Sequence, residues 1–293
     1  ASSATLKVTD YVDQDLQATT LDNSTAKLEV TTRSTGDLAV DLVDTKLSKV
    51  TKIIAGAADL KAKASSLNSI LNTNNTVVDL AGNQIDVIEY VSQDFSALTA
   101  SSGIANVTTH ASSLATLVDA ALTTADSAQI NVKIGAGNAT GAAAEISTIG
   151  SNGAAINQDG NDLTVTGYTN QNLSGLTDGN SSKGKLLVTT SNTGGSGTAA
   201  TLVKNSLTSA AGTIATVTIG DDDATGTAAN VAAIGANGGN IVAAGNDLAI
   251  TAYTNQDLSG LKAKAADGSG SAGVITVTTD GTNLATLVDA ALT

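Results

Sequence analysis

Gly160-Asn161-Asp162-Leu163-Thr164-Val165-Thr166-Gly167-Tyr168-Thr169-Asn170-Gln171-Asn172-Leu173 returns, with small changes only, as Gly245-Asn246-Asp247-Leu248-Ala249-Ile250-Thr251-Ala252-Tyr253-Thr254-Asn255-Gln256-Asp257-Leu258. The tyrosine phrase at its end, Tyr-x-x-Gln-Asp/Asn-Leu/Phe, also occurs at Tyr11 and Tyr90, so all four tyrosines of the chain sit in it. They are 79, 78 and 85 residues apart. A repeat at this scale predicts stacked supersecondary units in place of one closed core.

Each long repeat divides into three sub-units. The first is the quoted strand, in which Leu163 and Val165, or Leu248 and Ile250, alternate with small residues as expected of a strand with one buried face. A looser copy runs from Gly82 to Val87, and Gly-Asn in front supplies the turn. The second centres on Val-Thr-Thr at Val30, Val107, Val188 and Val277, followed by a Leu-Val segment. There Leu114, Leu117, Val118, Ala121 and Leu122, matched by Leu284, Leu287, Val288, Ala291 and Leu292, have the spacing of an amphipathic helix. The third is the most β-branched, with Ile130, Val132 and Ile134, then Ile214, Val217 and Ile219, and a divergent copy at Val50, Ile53 and Ile54. An Ala-rich return follows, Ala143 to Ile149 matching Ala228 to Ile234.

Eleven strands are expected, near residues 6, 28, 52, 86, 106, 132, 164, 187, 217, 249 and 276. Their spacing of about 27 residues suits one solenoid coil, which takes roughly 20–30. The fold expected is a repeat solenoid: parallel β-strand coils with short helical or turn segments, a β-solenoid of leucine-rich-repeat-like construction. Tandem small β-sandwich domains of about 80 residues are the alternative; they need about seven strands each, against three visible per long repeat. The chain reads as a single elongated repeat domain, 1–293, with long repeats near 1–80, 81–160, 161–245 and an incomplete 246–293.

Composition sets limits on function. Cys, Met, Trp and Pro are absent, aromatics make up 2 %, and the net charge is −13. The core must therefore be thin, built from Val, Ile, Leu and Ala. The acidic balance disfavours nucleic acid as a partner, and no apolar run is long enough to span a bilayer. An extracellular or cell-surface setting fits this composition.

In composition and repeat style the chain resembles the low-complexity repeat proteins of bacterial cell surfaces, of surface-layer and repeats-in-toxin type. The likeness is carried by Gly160-Asn161-Asp162-Leu163 and Gly245-Asn246-Asp247-Leu248, which look like half of a calcium nonapeptide. The resemblance implies an extracellular β-solenoid and raises calcium as a ligand. The full nonapeptide has a further Gly-Gly pair and returns every nine residues, and here it does neither.

The residues alone lead to an expectation of no cofactor, with calcium as the alternative at Asp221, Asp222 and Asp223 or at Asp159 and Asp162, because Ca²⁺ takes six to eight oxygen ligands. The plainer reading of both is a solvated loop and an Asx turn. His110 is the sole histidine and has no cysteine beside it, which excludes Cys-His chemistry. The tyrosine phrase reads either as a glycan-stacking stripe or, preferably, as a solenoid corner in which Gln14, Gln93, Gln171 and Gln256 bond the turn backbone. Leu6 and Val8 at one end, and Leu284, Leu287, Val288 and Leu292 at the other, read as uncapped assembly faces. The expected protein is a non-enzymatic, self-assembling structural element of a filament, sheath or surface layer. An adhesin or glycan-binding segment of a large surface protein or fibre is the alternative.

Overall fold

The computed structural model describes residues 4–21, 25–34, 39–191, 199–207, 214–236, 238–263 and 272–287. They fall into two compact units, 1–138 with 152–155, and 139–151 with 156–293.

In the first unit the strands are β1 Thr5–Tyr11, β2 Lys27–Thr32, β3 Val40–Leu42, β4 Lys52–Ile54, β5 Leu60–Lys63, β6 Val77–Asp79, β7 Gln84–Tyr90, β8 Leu98–Thr99, β9 Ile104–Thr109, β10 Ala115–Thr116 and β11 Asn131–Lys133. Two short helices, α1 Asp44–Leu47 and α2 Ala64–Asn68, lie between them. From β2 to β9 successive strands go alternately to two sheets, one ordered β1-β2-β4-β6-β8 and the other containing β3-β5-β7-β9-β11. All of these pairings are parallel.

The second unit repeats the scheme with β12 Ala139–Ala142, β13 Ile156–Asn157, β14 Leu163–Tyr168, β15 Leu176–Thr177, β16 Lys185–Thr190, β17 Ala200–Leu202, β18 Ile214–Thr218, β19 Ala224–Thr227, β20 Asn240–Val242, β21 Leu248–Tyr253, β22 Leu261–Lys262 and β23 Ile275–Thr279. Its helices are α3 Ala143–Ser151, α4 Lys204–Leu207 and α5 Ala228–Ala236. Parallel runs β12-β14-β16-β18-β20-β22 and β17-β19-β21-β23 form its main sheets, and β13 pairs with β15. The protein is thus mostly parallel β-strand in several sheets, with few helices. Parallel pairing requires a crossover between partners, and register partners lie between 19 residues (Tyr90 with Thr109) and 29 residues (Val188 with Val217) apart.

Inward positions carry apolar residues from strand to strand: Leu28, Val30, Ile53, Leu163, Val188, Val217 and Ile250 are all at most 1 % exposed. Stacking apolar residues in register from strand to strand fills a thin core built mainly of Val, Ile, Leu and Ala. The Ala-rich returns become the nine-residue helices α3 and α5, which bury Ala143, Ile146 and Ile149, and Ala228, Val231 and Ile234. Their glycines come close to the next coil: a Cβ on Gly175 would lie 3.4 Å from the Gly150 Cα, and one on Gly260 3.3 Å from that of Gly235.

Two expectations are corrected. Among the described residues the strands number about twice what the sequence suggested, because short pieces of Ala, Gly and Thr such as Ala139–Ala142 also pair into sheets. The Leu-Val segment after Val107 is not an amphipathic helix. It opens with the strand Ala115–Thr116 and closes with a single 3₁₀ turn, Ala120–Leu122. Leu117 and Leu122 are buried, whereas Leu114 and Val118 are exposed.

Candidate functional site

The tyrosine phrase forms a turn in which most of its polar groups are bonded. The residue before each tyrosine, Asp10, Glu89, Gly167 or Ala252, has a φ between 55° and 68°. That left-handed residue makes a bulge, so that Tyr11, Tyr90, Tyr168 and Tyr253 pair with Thr32, Thr109, Thr190 and Thr279 after a register shift. All four rings are buried, at 0–1 % exposure. Gln14, Gln93, Gln171 and Gln256 each accept through Oε1 the N–H of the residue after the tyrosine, at 2.8–3.0 Å. Asp15, Asp94, Asn172 and Asp257 each accept an N–H two residues on, at 2.9–3.0 Å. The phenols of Tyr90, Tyr168 and Tyr253 donate to the carbonyls of Thr116, Thr201 and Thr286 at 3.0–3.3 Å. The buried Tyr11 hydroxyl has no such partner. Burial pushes the Tyr11, Tyr90 and Tyr168 phenols up to about 12, with the charges of Asp13, Asp15 and Asp41 adding at Tyr11 and that of Asp94 at Tyr90.

Behind each corner lies a contact that sequence reading missed. Thr32, Thr109 and Thr190 are at most 2 % exposed. Each accepts through Oγ1 the N–H of a glycine that follows the neighbouring strand: Gly56 at 2.8 Å, Gly135 at 2.8 Å and Gly220 at 2.7 Å. The signal was present in the sequence as a glycine closing Ile54-Ala55-Gly56, Lys133-Ile134-Gly135 and Thr218-Ile219-Gly220.

Two of the carboxylates proposed as calcium ligands take up backbone amides. Asp162 Oδ1 accepts the Lys185 N–H at 2.9 Å, and Asp223 Oδ1 accepts that of Asp247 at 2.8 Å. Asp247 and Asp59 make the same bridge to Val274 and Gln84. Asp159 lies in a turn at φ 50°, its N–H donating to Asn157 Oδ1. Asp221 is exposed and Asp222 is buried, with the Asp222 N–H directed to the Ser191 carbonyl at 3.3 Å. Among the described residues no group of three or more His, Cys, Asp or Glu side chains is placed to hold a metal ion.

Two carboxylates that the sequence did not single out organise loops. Asp178, 1 % exposed, accepts the N–H groups of Gly160, Asn180 and Gly184 at 2.7–3.1 Å. Asp126 accepts from the Thr124 hydroxyl and from the Ala100 and Ser101 amides, which together hold its carboxyl below the ordinary range. His110 does similar work, its Nδ1 accepting the Ser112 and Ser113 N–H groups at 3.0 and 3.1 Å.

The predicted assembly residues are exposed where the structure describes them. Leu6 is 47 %, Leu284 95 % and Leu287 70 % exposed, and Val8 is half-buried. Val288 and Leu292 lie outside the described residues. At the β23 end, Leu258, Leu261, Ala263, Ile275, Val277, Thr279 and Leu287 line an apolar hollow of about 550 Å³. Among the described residues no helix is long and apolar enough to cross a membrane. Compared with family models, curated proteins and solved structures, the chain gives no match.

Proposed function

We propose that the chain is a non-enzymatic structural protein of an extracellular or bacterial cell-surface setting. On this reading it is a β-solenoid whose coils stack in parallel and which assembles with copies of itself into a filament, sheath or layer. The observation that carries the proposal is the apolar surface that β1 and β23 leave uncovered among the described residues. Leu28 and Val30 are fully buried, whereas their register partners Leu6 and Val8 on β1 are exposed and half-buried. Ile275 and Val277 of β23 are likewise only half-buried over the open hollow. Uncovered strand faces and edges of this kind are templates for association. His110, Asp162 and Asp223 already serve the backbone, which supports a scaffold more than a catalyst. The buried tyrosine rings offer the glycan-binding alternative no stacking surface.

Sedimentation velocity over a concentration series tests this reading. The parent chain should give large species, and Leu287→Asp or Leu6→Asp should shift it to monomer with unchanged circular dichroism. A parent that stays monomeric at high concentration would refute the assembly.

A further inference from the structure

Arg33, His110, Ser191 and Asp280 occupy one place in the repeat: the N–H of each donates to a tyrosine carbonyl on the neighbouring strand, at 2.9–3.0 Å. In two of the copies the side chain then closes the turn that follows. His110 Nδ1 accepts the N–H groups of Ser112 and Ser113 at 3.0 and 3.1 Å. Asp280 Oδ1 accepts the N–H and the hydroxyl of Thr282 at 2.8 and 2.7 Å, and its Oδ2 accepts the Asn283 side-chain amide at 2.7 Å. The two stretches match around the exchange, with His110-Ala111-Ser112-Ser113-Leu114-Ala115-Thr116 against Asp280-Gly281-Thr282-Asn283-Leu284-Ala285-Thr286. One turn is thus closed by two chemically different acceptors.

The two acceptors differ in acid. The bonds to Asp280, that of the Thr282 hydroxyl foremost, hold its carboxyl down at about 2, so this acceptor persists through mild acid. An imidazole nitrogen accepts only while it carries no proton. Two N–H donors converging on Nδ1 fix the lone pair there and the ring proton on Nε2. Protonation sets a third N–H against those two, and imidazole is the side chain that makes this change between pH about 5 and 8. His110 is the sole histidine of the chain.

The turn also seats its neighbour. The Gly137 N–H donates to the His110 carbonyl at 3.1 Å, and the Ala115 N–H donates to the Asn138 carbonyl at 3.2 Å. The approach is close, since a Cβ on Gly137 would lie 2.3 Å from the Ser113 carbonyl oxygen and 2.5 Å from that of His110. The β9–β11 pairing and the bond from Gly135 to Thr109 do not involve the ring. The ionisable groups on the surrounding elements are Glu89 and Tyr90 at the end of β7, Lys133 on β11 and Asp119 beyond the turn, while 111–114 and 135–138 have none. Glu89 pairs with Lys63 at 3.1 Å, Asp119 Oδ1 accepts the Gln129 amide at 3.2 Å, and burial foremost pushes the Tyr90 phenol up to about 12. Carboxylates, amines and phenols ordinarily keep one charge state through the imidazole range, which leaves the ring as the group that changes.

We propose that His110 is an acid-sensitive latch: neutral, it closes the 110–113 turn and seats the 135–138 loop; protonated, it releases both while the parallel strands stay paired. The stabilisation is present above the imidazole range and is lost as pH falls through it. The latch acts within the chain and is independent of self-assembly.

Hydrogen exchange of the full chain, read by mass spectrometry, tests this on monomer and assembly alike. After correction for the intrinsic effect of pH, exchange in the segment 111–116 should quicken by about tenfold between pH about 8 and 5, because two amides lose their acceptor. Circular dichroism should stay constant. His110→Asp, which supplies an acceptor of the Asp280 type, should keep the segment protected at both ends of the range. His110→Ala should exchange fast at both. Equal protection of the parent segment across the range, or a His110→Asp protein that responds as its parent does, would overturn the latch. Loss of the β-sheet dichroism together with the turn would overturn it as well, since the change would then be general unfolding.

Discussion

At the scale of single residues, Tyr11 and Tyr168 make a controlled comparison, since the same buried ring has a hydroxyl acceptor in one copy only. Tyr168→Phe should lower stability by about 1 kcal/mol in urea unfolding, the usual net worth of a hydrogen bond. Tyr11→Phe should leave stability unchanged or raise it, since it removes a buried hydroxyl that has no partner. Alkali provides a second test. With folded-state values of about 12 for Tyr11, Tyr90 and Tyr168, the folded chain holds these protons more tightly than the unfolded chain, whose phenols titrate near 10. Stability from these rings is therefore constant below pH about 10 and falls as pH rises toward 12. Phenolate absorbance should appear together with loss of the β-sheet dichroism in that window; phenolate formed near pH 10 in an intact fold would contradict the burial. The corner role of the tyrosine phrase was legible in the sequence because Gln and Asp or Asn recur at fixed offsets from one ring. Asp178 and Asp126 were not legible, because the loops they gather occur in single copies and leave no repeated signal.

At the scale of strands and helices, the coil joint between β9 and β11 depends on a threonine hydroxyl meeting a glycine amide. Thr109→Val keeps the shape and removes the acceptor, which should cost about 1–3 kcal/mol for the stranded Gly135 N–H. Gly135→Ala should cost at least as much, since its Cβ would meet the Thr109 carbonyl oxygen at 2.4 Å. Urea titrations of both variants would check this, and a Gly135→Ala protein as stable as its parent would sink the steric account. Asp178→Ala exposes three amides to a lost acceptor, and should open the 178–184 loop to proteolysis before the rest unfolds. The β-branched strands were readable from period-two alternation, as at Leu163 and Val165. Their companions were not, because Ala139–Ala142 and Ala224–Thr227 are held by neighbours on the sheet and carry little preference of their own. The same override explains the lost helix after Val107. Leu114 and Leu117 have helical spacing, but Ala115 and Thr116 between them are drawn into β10.

At the largest scale, each of the two units is held by joints between successive parallel strands, the kind of neighbour-to-neighbour stabilisation that repeat architectures use. Chelator should leave the melting temperature unchanged, since Asp162 and Asp223 already satisfy amides; a fall of several degrees would assign them an ion that binds the folded state. The parallel sheets and the corners were foreseeable from the repeat, whereas the alternation of strands between two sheets was not, because half of the strands lack a hydrophobic signature. The reach of the tyrosine bridges has a genetic consequence. Tyr168 and Tyr253 each donate to a carbonyl 33 residues ahead, so a block that starts and stops at equivalent corners carries these joints with it. Copying or deleting such a block of DNA would lengthen or shorten the protein without asking any distant residue to change, and length itself becomes the trait on which selection can act most cheaply.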